Sequence, residues 1–281
     1  MSDKGKRPPI VQAELYLKSK EYITPHYIRI TLTGADVPLF AGTTIGVNNK
    51  IFIPPAGVNK VFFPDYNFES NEWTFPPEEV RPSVRTYTHR GFDLDKKEMI
   101  IDFVSHGDSG PASAWAISAK EGDPLGVAMK AAPTELYPQA DWYLLVADAT
   151  GIPVIAAILE RLPENAKGIA HIEVQSPQDE QLLKAPSGIK INWLHNAHPG
   201  AQDLLSAVVR STDLPDKASG SRFGYVAAEF SSVKDIRQFL RKEQNWSTEE
   251  LYAYSYWKFG VSEEGSVKDR HQEQQEAKHL A

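Results

Sequence analysis

The chain has 281 residues, a formal net charge of −7, no cysteine, and 41% hydrophobic and 24% charged residues. That balance is globular, with enough apolar mass for one large core or two ordinary ones. The lack of cysteine excludes a disulfide framework, a thiol nucleophile and an iron–sulfur cluster held by the chain, and the negative charge argues against nucleic acid as a partner.

The N-terminus, Met1-Ser-Asp-Lys-Gly-Lys-Arg-Pro-Pro, has charge but no apolar stretch behind it, so no signal peptide is expected. No apolar run reaches the ~18 residues of a membrane span. The chain is therefore expected in the cytoplasm. Residues 10–18 and 27–33 alternate as strands, with a turn at Thr24-Pro25 between them. A third strand at 50–54 is stopped by Pro54-Pro55. Residues 56–80, rich in Pro, Asn and aromatics, read as one long loop, either a functional cover or an ordered insertion packed on the domain. Strands around Arg85, Asp102 and Leu125, with a helix from Pro111, complete six short strands and one helix. That set describes a small antiparallel barrel.

Around 131–139 the texture changes. Residues 142–148 form a near-continuous apolar run, as a strand covered on both faces would. A helix at 154–162 follows, then strands at 168–174 and 189–194, a helix at 202–210, a strand at 223–228, a helix at 233–242 and a strand at 251–256. Such alternation predicts a parallel sheet with helices on its faces. Two domains are expected, 1–135 and 136–281. The tail from Val267 is polar nearly all round, and reads as a docked surface helix or a frayed end.

Most of the chemistry lies in two segments. In Arg81-Pro-Ser-Val-Arg85-Thr86-Tyr87-Thr88-His89-Arg90, strand alternation puts Arg85 and Tyr87 on one face and Thr86 and Thr88 on the other. A guanidinium beside an aromatic ring suits a ligand with both phosphate and a flat ring system. In the second segment, 101–113, a strand breaks at His106-Gly107 and restarts as a helix at Pro111. Pro111 fits the first helical position, and Ser113 adds a hydroxyl beside the free N–H groups there. Two anion sites flanking an aromatic platform point to a dinucleotide, with a flavin the natural candidate. A third such feature is Asp148-Ala-Thr150-Gly151-Ile-Pro153, where Gly151 permits a close turn and Pro153 opens a helix that can face a pyrophosphate. Turns of this kind also occur in sheets with no ligand. His195 and His198, with no carboxylate or cysteine beside them, read as plain loop residues rather than a metal pair.

The run Asp102-Phe103-Val104-Ser-His106-Gly-Asp-Ser-Gly110-Pro111-Ala112-Ser113-Ala-Trp115, preceded by Arg85-Thr86-Tyr87-Thr88, resembles the flavin-binding core of the ferredoxin–NADP reductase superfamily. Within it the run is most similar to the siderophore-interacting proteins. The resemblance implies an N-terminal six-stranded antiparallel β-barrel that binds FAD and a C-terminal parallel-sheet α/β domain that binds NADH or NADPH. FAD would be held by Arg85, Thr86, Tyr87, Thr88, Asp102, Phe103, Val104, His106, Gly110, Pro111, Ala112, Ser113, Thr150 and Trp257. The nicotinamide site would take Asp148, Thr150, Gly151, Pro153 and Glu229. Lys50, Lys130 and Lys258 would line a pocket for an anionic ferric chelate. Each lysine also reads as a solvated charge, and Trp257 as a buried or interface ring.

Ala227-Ala228-Glu229 resembles the family's Ala-Gly-Glu turn, but Ala228 stands where the glycine would be and constrains backbone approach. Residues 173–180, the turn that would meet the adenosine ribose, are acidic and lack Arg or Lys until Lys184. This favours NADH over NADPH. The implied activity is that of a flavin-dependent ferric-siderophore reductase, fed by NADH, NADPH or a reduced ferredoxin. Reduction to Fe(II) weakens hard-oxygen ligation, so iron is released. No side chain need act as an acid, base or nucleophile, no metal is held by the chain, and a monomer without nucleic-acid or membrane partners is expected. Two other readings are a general flavin or ferredoxin-type reductase and a non-enzymatic ferric-siderophore carrier.

Overall fold

A computed structural model describes residues 10–67, 72–108 and 110–261. The chain divides into two compact units, residues 1–135 and 136–281.

In the first unit, β1 (Ile10–Thr24), β2 (Tyr27–Thr33), β3 (Asn48–Ile53), β6 (Ser83–Asp93), β7 (Glu98–Val104) and β8 (Pro124–Lys130) close a barrel. Its order is β1-β2-β7-β6-β3-β8, and every pairing is antiparallel. Alternation decides which side chains fill it: Ile28, Ile30 and Leu32 of β2 point inward with Leu15, Ile51, Met99, Ile101 and Val127. Helix α1 (Pro111–Ser118) adds the small side chains Ala112 and Ala116 to the same core.

The insertion between β3 and β6 corrects the single-loop reading of 56–80. It contains a short hairpin, β4 (Asp65–Asn67) with β5 (Glu72–Thr74), and a 3₁₀ turn at Glu78–Val80. Three-residue strands are too short for alternation to show in a sequence. The start of the insertion is packed on the barrel, where Phe63 meets Phe52 edge-on at 5.0 Å and Val61 joins them. Gly126 makes room, since a Cβ there would lie 2.7–2.8 Å from Val61, Phe52 and Phe63.

The second unit is a five-stranded parallel sheet of β9 (Trp142–Ala147), β10 (Lys167–Val174), β11 (Gly188–His195), β12 (Arg222–Glu229) and β13 (Leu251–Trp257). Its order is β11-β10-β9-β12-β13. Helix α2 (Ile152–Leu159) is buried along its whole length. On one face Leu144, Val146 and Val226 pack against α3 (Leu204–Arg210) and α4 (Phe230–Gln238), the latter running on into a π-helical turn, Phe239–Glu243. The chain leaves β9 toward β10 and β11, then returns to the other side for β12 and β13. The C-terminal end of β9 is thus the switch point where open parallel sheets take their ligands. The C-terminal tail reading lies outside the described residues.

Candidate functional site

In the first unit the two chemistry-bearing segments meet through a stair of aromatic rings. Tyr87 on β6 sits 4.5 Å from Phe103 on β7, and Phe103 lies 5.9 Å from Trp115 on α1. Phe103 is fully buried, while Tyr87 keeps part of its ring at the surface. Trp115, which sequence reasoning did not assign, is the residue that ties the helix to the strand pair. Arg85 is half-buried and donates from Nη1 to the Val84 carbonyl at 2.8 Å. Thr86 faces the other side and is 2.5 Å from Lys50 Nζ. Thr88 is buried.

The loop between β7 and α1 is shaped by Ser113. Its hydroxyl donates to the Gly107 carbonyl at 2.6 Å and accepts from the His106 N–H at 3.1 Å. The single hydroxyl proton is therefore committed to closing the loop. Gly107 holds a positive φ of 83°, and a Cβ there would meet nothing within 4 Å, so the backbone is open at that point. His106 is exposed, Val104 and Pro111 are half-buried, and a Cβ on Gly110 would press on the His106 ring at 3.0 Å. The N–H groups of Ala112 and Ser113 lie in the first turn, where no intrahelical carbonyl receives them. Asp102 is buried and doubly hydrogen-bonded by Arg29 at 2.8 Å, with Tyr27 donating at 3.2 Å. Its carboxylate pins β2 to β7, a role that Arg29, outside both motifs, makes visible only in three dimensions. A guanidinium, free first-turn N–H groups, an open glycine backbone and a surface ring suit the diphosphate and the flat ring of a flavin dinucleotide.

In the second unit the Asp148 turn is closed by the chain's own groups. Asp148 Oδ1 accepts from the Thr150 N–H at 2.8 Å and its hydroxyl at 2.5 Å, and Oδ2 accepts from Trp257 Nε1 at 2.6 Å. Burial nevertheless pushes the Asp148 carboxyl above its ordinary pKa, against those hydrogen bonds. Gly151 has an ordinary negative φ of −89°. Its missing Cβ is required by the sheet, because a methyl there would lie 2.2 Å from the Ala227 carbonyl oxygen. Pro153 is buried in the first turn of α2. Glu229 caps α4, accepting from Ser231 N–H at 2.5 Å and Ser232 N–H at 3.4 Å, while its other oxygen accepts from Phe259 N–H at 3.1 Å. Ala228 is buried toward the helices.

Glu173, near the end of β10, is buried. Burial first, then the charges of Asp148, Asp203 and Glu229, raises its pKa to about 7 against a hydrogen bond from Asn196. Beyond it Asp179 accepts from Ser176 at 2.7 Å, and Glu180 pairs with His195 at 2.8 Å, which corrects the reading of His195 as a loop residue without a carboxylate: it ends β11, and the fold brings Glu180 to it from fifteen residues away. His198 donates its backbone N–H to Asn196. Of the three lysines, Lys50 and Lys130 share the outer face of the barrel, since Lys50 pairs in register with Ala128 and Lys130 is two residues further along β8. Lys258 belongs to the second unit, with Nζ 4.8 Å over the Phe230 ring.

The family model described as a siderophore-interacting FAD-binding domain matches residues 16–133, and that described as siderophore-interacting protein matches 140–260. A ferric vibriobactin reductase of Vibrio cholerae is 33% identical over 252 residues, 90% of this chain and 91% of its own. An NADPH-dependent ferric-chelate reductase of Escherichia coli is 28% identical over 247 residues, 87% of this chain and 92% of its own. The solved structure of a siderophore utilization protein from T. fusca superposes with a TM-score of 0.80 at 32% identity, covering 92% of this chain and 96% of that one. With both halves matched and the barrel and parallel sheet in place, the chain belongs to the siderophore-interacting proteins.

Proposed function

We propose that the protein is an FAD-dependent ferric-siderophore reductase in which the first unit binds the flavin and the second receives the electron donor. The observation that carries this reading is the Tyr87–Phe103–Trp115 stair, which links the Arg85 strand through β7 to helix α1. Bound FAD would supply the exchange between a two-electron donor and a one-electron ferric acceptor. The chain's own residues position and recruit. Arg85 and the first-turn N–H groups of Ala112 and Ser113 hold phosphate, Ser113 and Gly110 keep that turn in shape, and Pro111 presets it. Asp102, Phe103, Val104 and His106 form the edge along which the dinucleotide lies. Tyr87 stacks on the flat ring and Thr88 orients its reactive edge. Lys50 and Lys130, with Lys258, attract a negatively charged chelate.

The donor is proposed to be a pyridine nucleotide entering at the Asp148–Pro153 turn, next to Glu229. The acidic run from Glu173 to Glu180 suits a ribose hydroxyl better than a 2′-phosphate, which supports NADH. A second reading, a reduced ferredoxin as donor, is favoured by the Trp257–Asp148 bond, which fills that turn with the chain's own indole. We further propose that the protein works as a monomer in the cytoplasm.

The test is to mix the photoreduced protein anaerobically with a ferric siderophore and an Fe(II) trap. Flavin reoxidation matched by trapped Fe(II) is the expected result, and repeating the cycle with NADH, NADPH and reduced ferredoxin ranks the donors. Reduced flavin that ignores the chelate would leave a general flavin reductase, and binding without reduction a carrier.

A further inference from the structure

Strand β1 does not keep one alternation along its length. Leu17 pairs with Leu32 and Lys20 with Ile30, but the register slips between Leu17 and Ser19. Residues directly opposite each other in a sheet point to one face, and Leu32 and Ile30 both belong to the barrel core. The extra residue of this bulge therefore turns Lys20 inward, where an unbroken strand would have turned Ser19.

The Lys20 ammonium meets the C-terminal end of helix α1. It donates to the Ile117 carbonyl and, at 3.3 Å, to the Ala116 carbonyl. Both belong to the last turn, where no intrahelical N–H reaches them. A third carbonyl of that turn, Trp115, accepts from the Ala119 N–H at 2.8 Å. At the other end of α1 no side chain caps the helix among the described residues. The side chain that closes the C-terminal end is a cation, the sign that favours the negative end of the helix dipole.

Helix α1 has eight residues, a length of about 12 Å at the helical rise. A helix so short is not stable by itself in water, so its contacts decide where it points. In the barrel those are the small side chains of Ala112 and Ala116 and the Trp115 ring beside Phe103. Lys20 adds an anchor at the end opposite the first-turn N–H groups.

We infer that Lys20 is a positioning residue for the phosphate of FAD: its hold on the Ala116 and Ile117 carbonyls aims the N–H groups of Ala112 and Ser113. The inference rests on the flavin reading above. Lys20 stands at the far end of the helix from those groups and acts through it.

The full chain is titrated with FAD and with riboflavin, which has the flat ring and no phosphate. K20M keeps the aliphatic stem and removes the donor, and K20R restores charge and donors. K18M removes the neighbouring ammonium, which bonds Glu98 instead. The expected result for K20M is a loss of about tenfold in FAD affinity, with riboflavin affinity within about twofold of wild type. K20R should recover most of that loss, and K18M should show none of it. Equal losses for the two ligands in K20M, or no loss for either, would overturn the inference, because a residue that only holds the barrel together cannot tell the ligands apart. If K20M does not fold, K20Q, which keeps an amide donor, is read in the same way. A chain that folds with neither would make Lys20 a stability residue and overturn the inference as well. A wild type with no preference for FAD over riboflavin would instead sink the flavin reading at its phosphate site, and the inference with it.

Discussion

The two strand–turn–helix motifs of this chain look alike in sequence and behave differently in the structure. At 104–113 the turn keeps its backbone open at Gly107 and presents first-turn N–H groups, while its one hydroxyl is spent on internal shape. At 148–153 the polar groups are consumed within the fold: Asp148 takes Thr150 and Trp257, and Gly151 is pressed against Ala227. A helix N-terminus offers an anion site only where the protein has not already satisfied it. The first turn leaves its backbone groups available, and the second has already used its own.

The largest effect expected is on the closed turn. Gly151→Ala puts a methyl 2.2 Å from the Ala227 carbonyl, and overpacking of that kind costs about 3 kcal/mol. Urea unfolding should show it, and an unchanged midpoint would break the view that the sheet holds this turn shut. Next comes the cation that we propose shares the phosphate with the open turn. Arg85→Ala removes the charge-assisted contact proposed to FAD phosphate, worth about 1.5–3 kcal/mol, so FAD affinity should fall about 10- to 150-fold by flavin fluorescence titration. A smaller change follows from Trp257→Phe, which keeps the ring and deletes the N–H that closes the Asp148 turn. Flavin reduction by NADH or NADPH should quicken severalfold in stopped flow while stability drops by about 1 kcal/mol.

The smallest effect is on the pH dependence of stability. His171 and Glu173 stand two residues apart on β10, both buried. Burial, then the Lys190 charge, lowers the His171 pKa to about 4 from an ordinary 6.5. Between those values only the unfolded chain takes up the proton, so His171 makes stability rise with pH. Glu173, raised from 4.5 to about 7, keeps its proton longer in the folded chain and makes stability fall with pH across that window. The two slopes oppose each other from about pH 4.5 to 6.5, and the wild-type melting temperature should be nearly flat there. His171→Asn should expose a fall of a few degrees with rising pH, and Glu173→Gln a rise of about the same size. A wild type that already slopes as steeply as either variant would contradict the opposition.

Much of this was legible because it is local. The Arg85–Tyr87 alternation, the helix start at Pro111 and the all-apolar strand at 142–147 depend on neighbours in sequence. What could not be read depends on distant partners. The Ser113 hydroxyl donates to the Gly107 carbonyl, and Gly151 is held without a Cβ by the Ala227 carbonyl, two contacts that local spacing does not announce. Glu229, read from a family turn, caps α4 and holds Phe259, which no spacing announces. The β4–β5 hairpin escaped notice because three residues are too few for a pattern.

The closure of the barrel carries a consequence for how the chain is made. Strand β1 begins at Ile10, yet its first half pairs with β8, where Ile10 faces Lys130. Its second half pairs with β2, only a short turn away. During synthesis the later half of β1 finds its partner almost at once, whereas the earlier half stays an unpaired edge until the whole unit has left the ribosome. The N-terminal strand is then the segment most in need of shelter on a nascent chain, and the first place where slow translation would be felt.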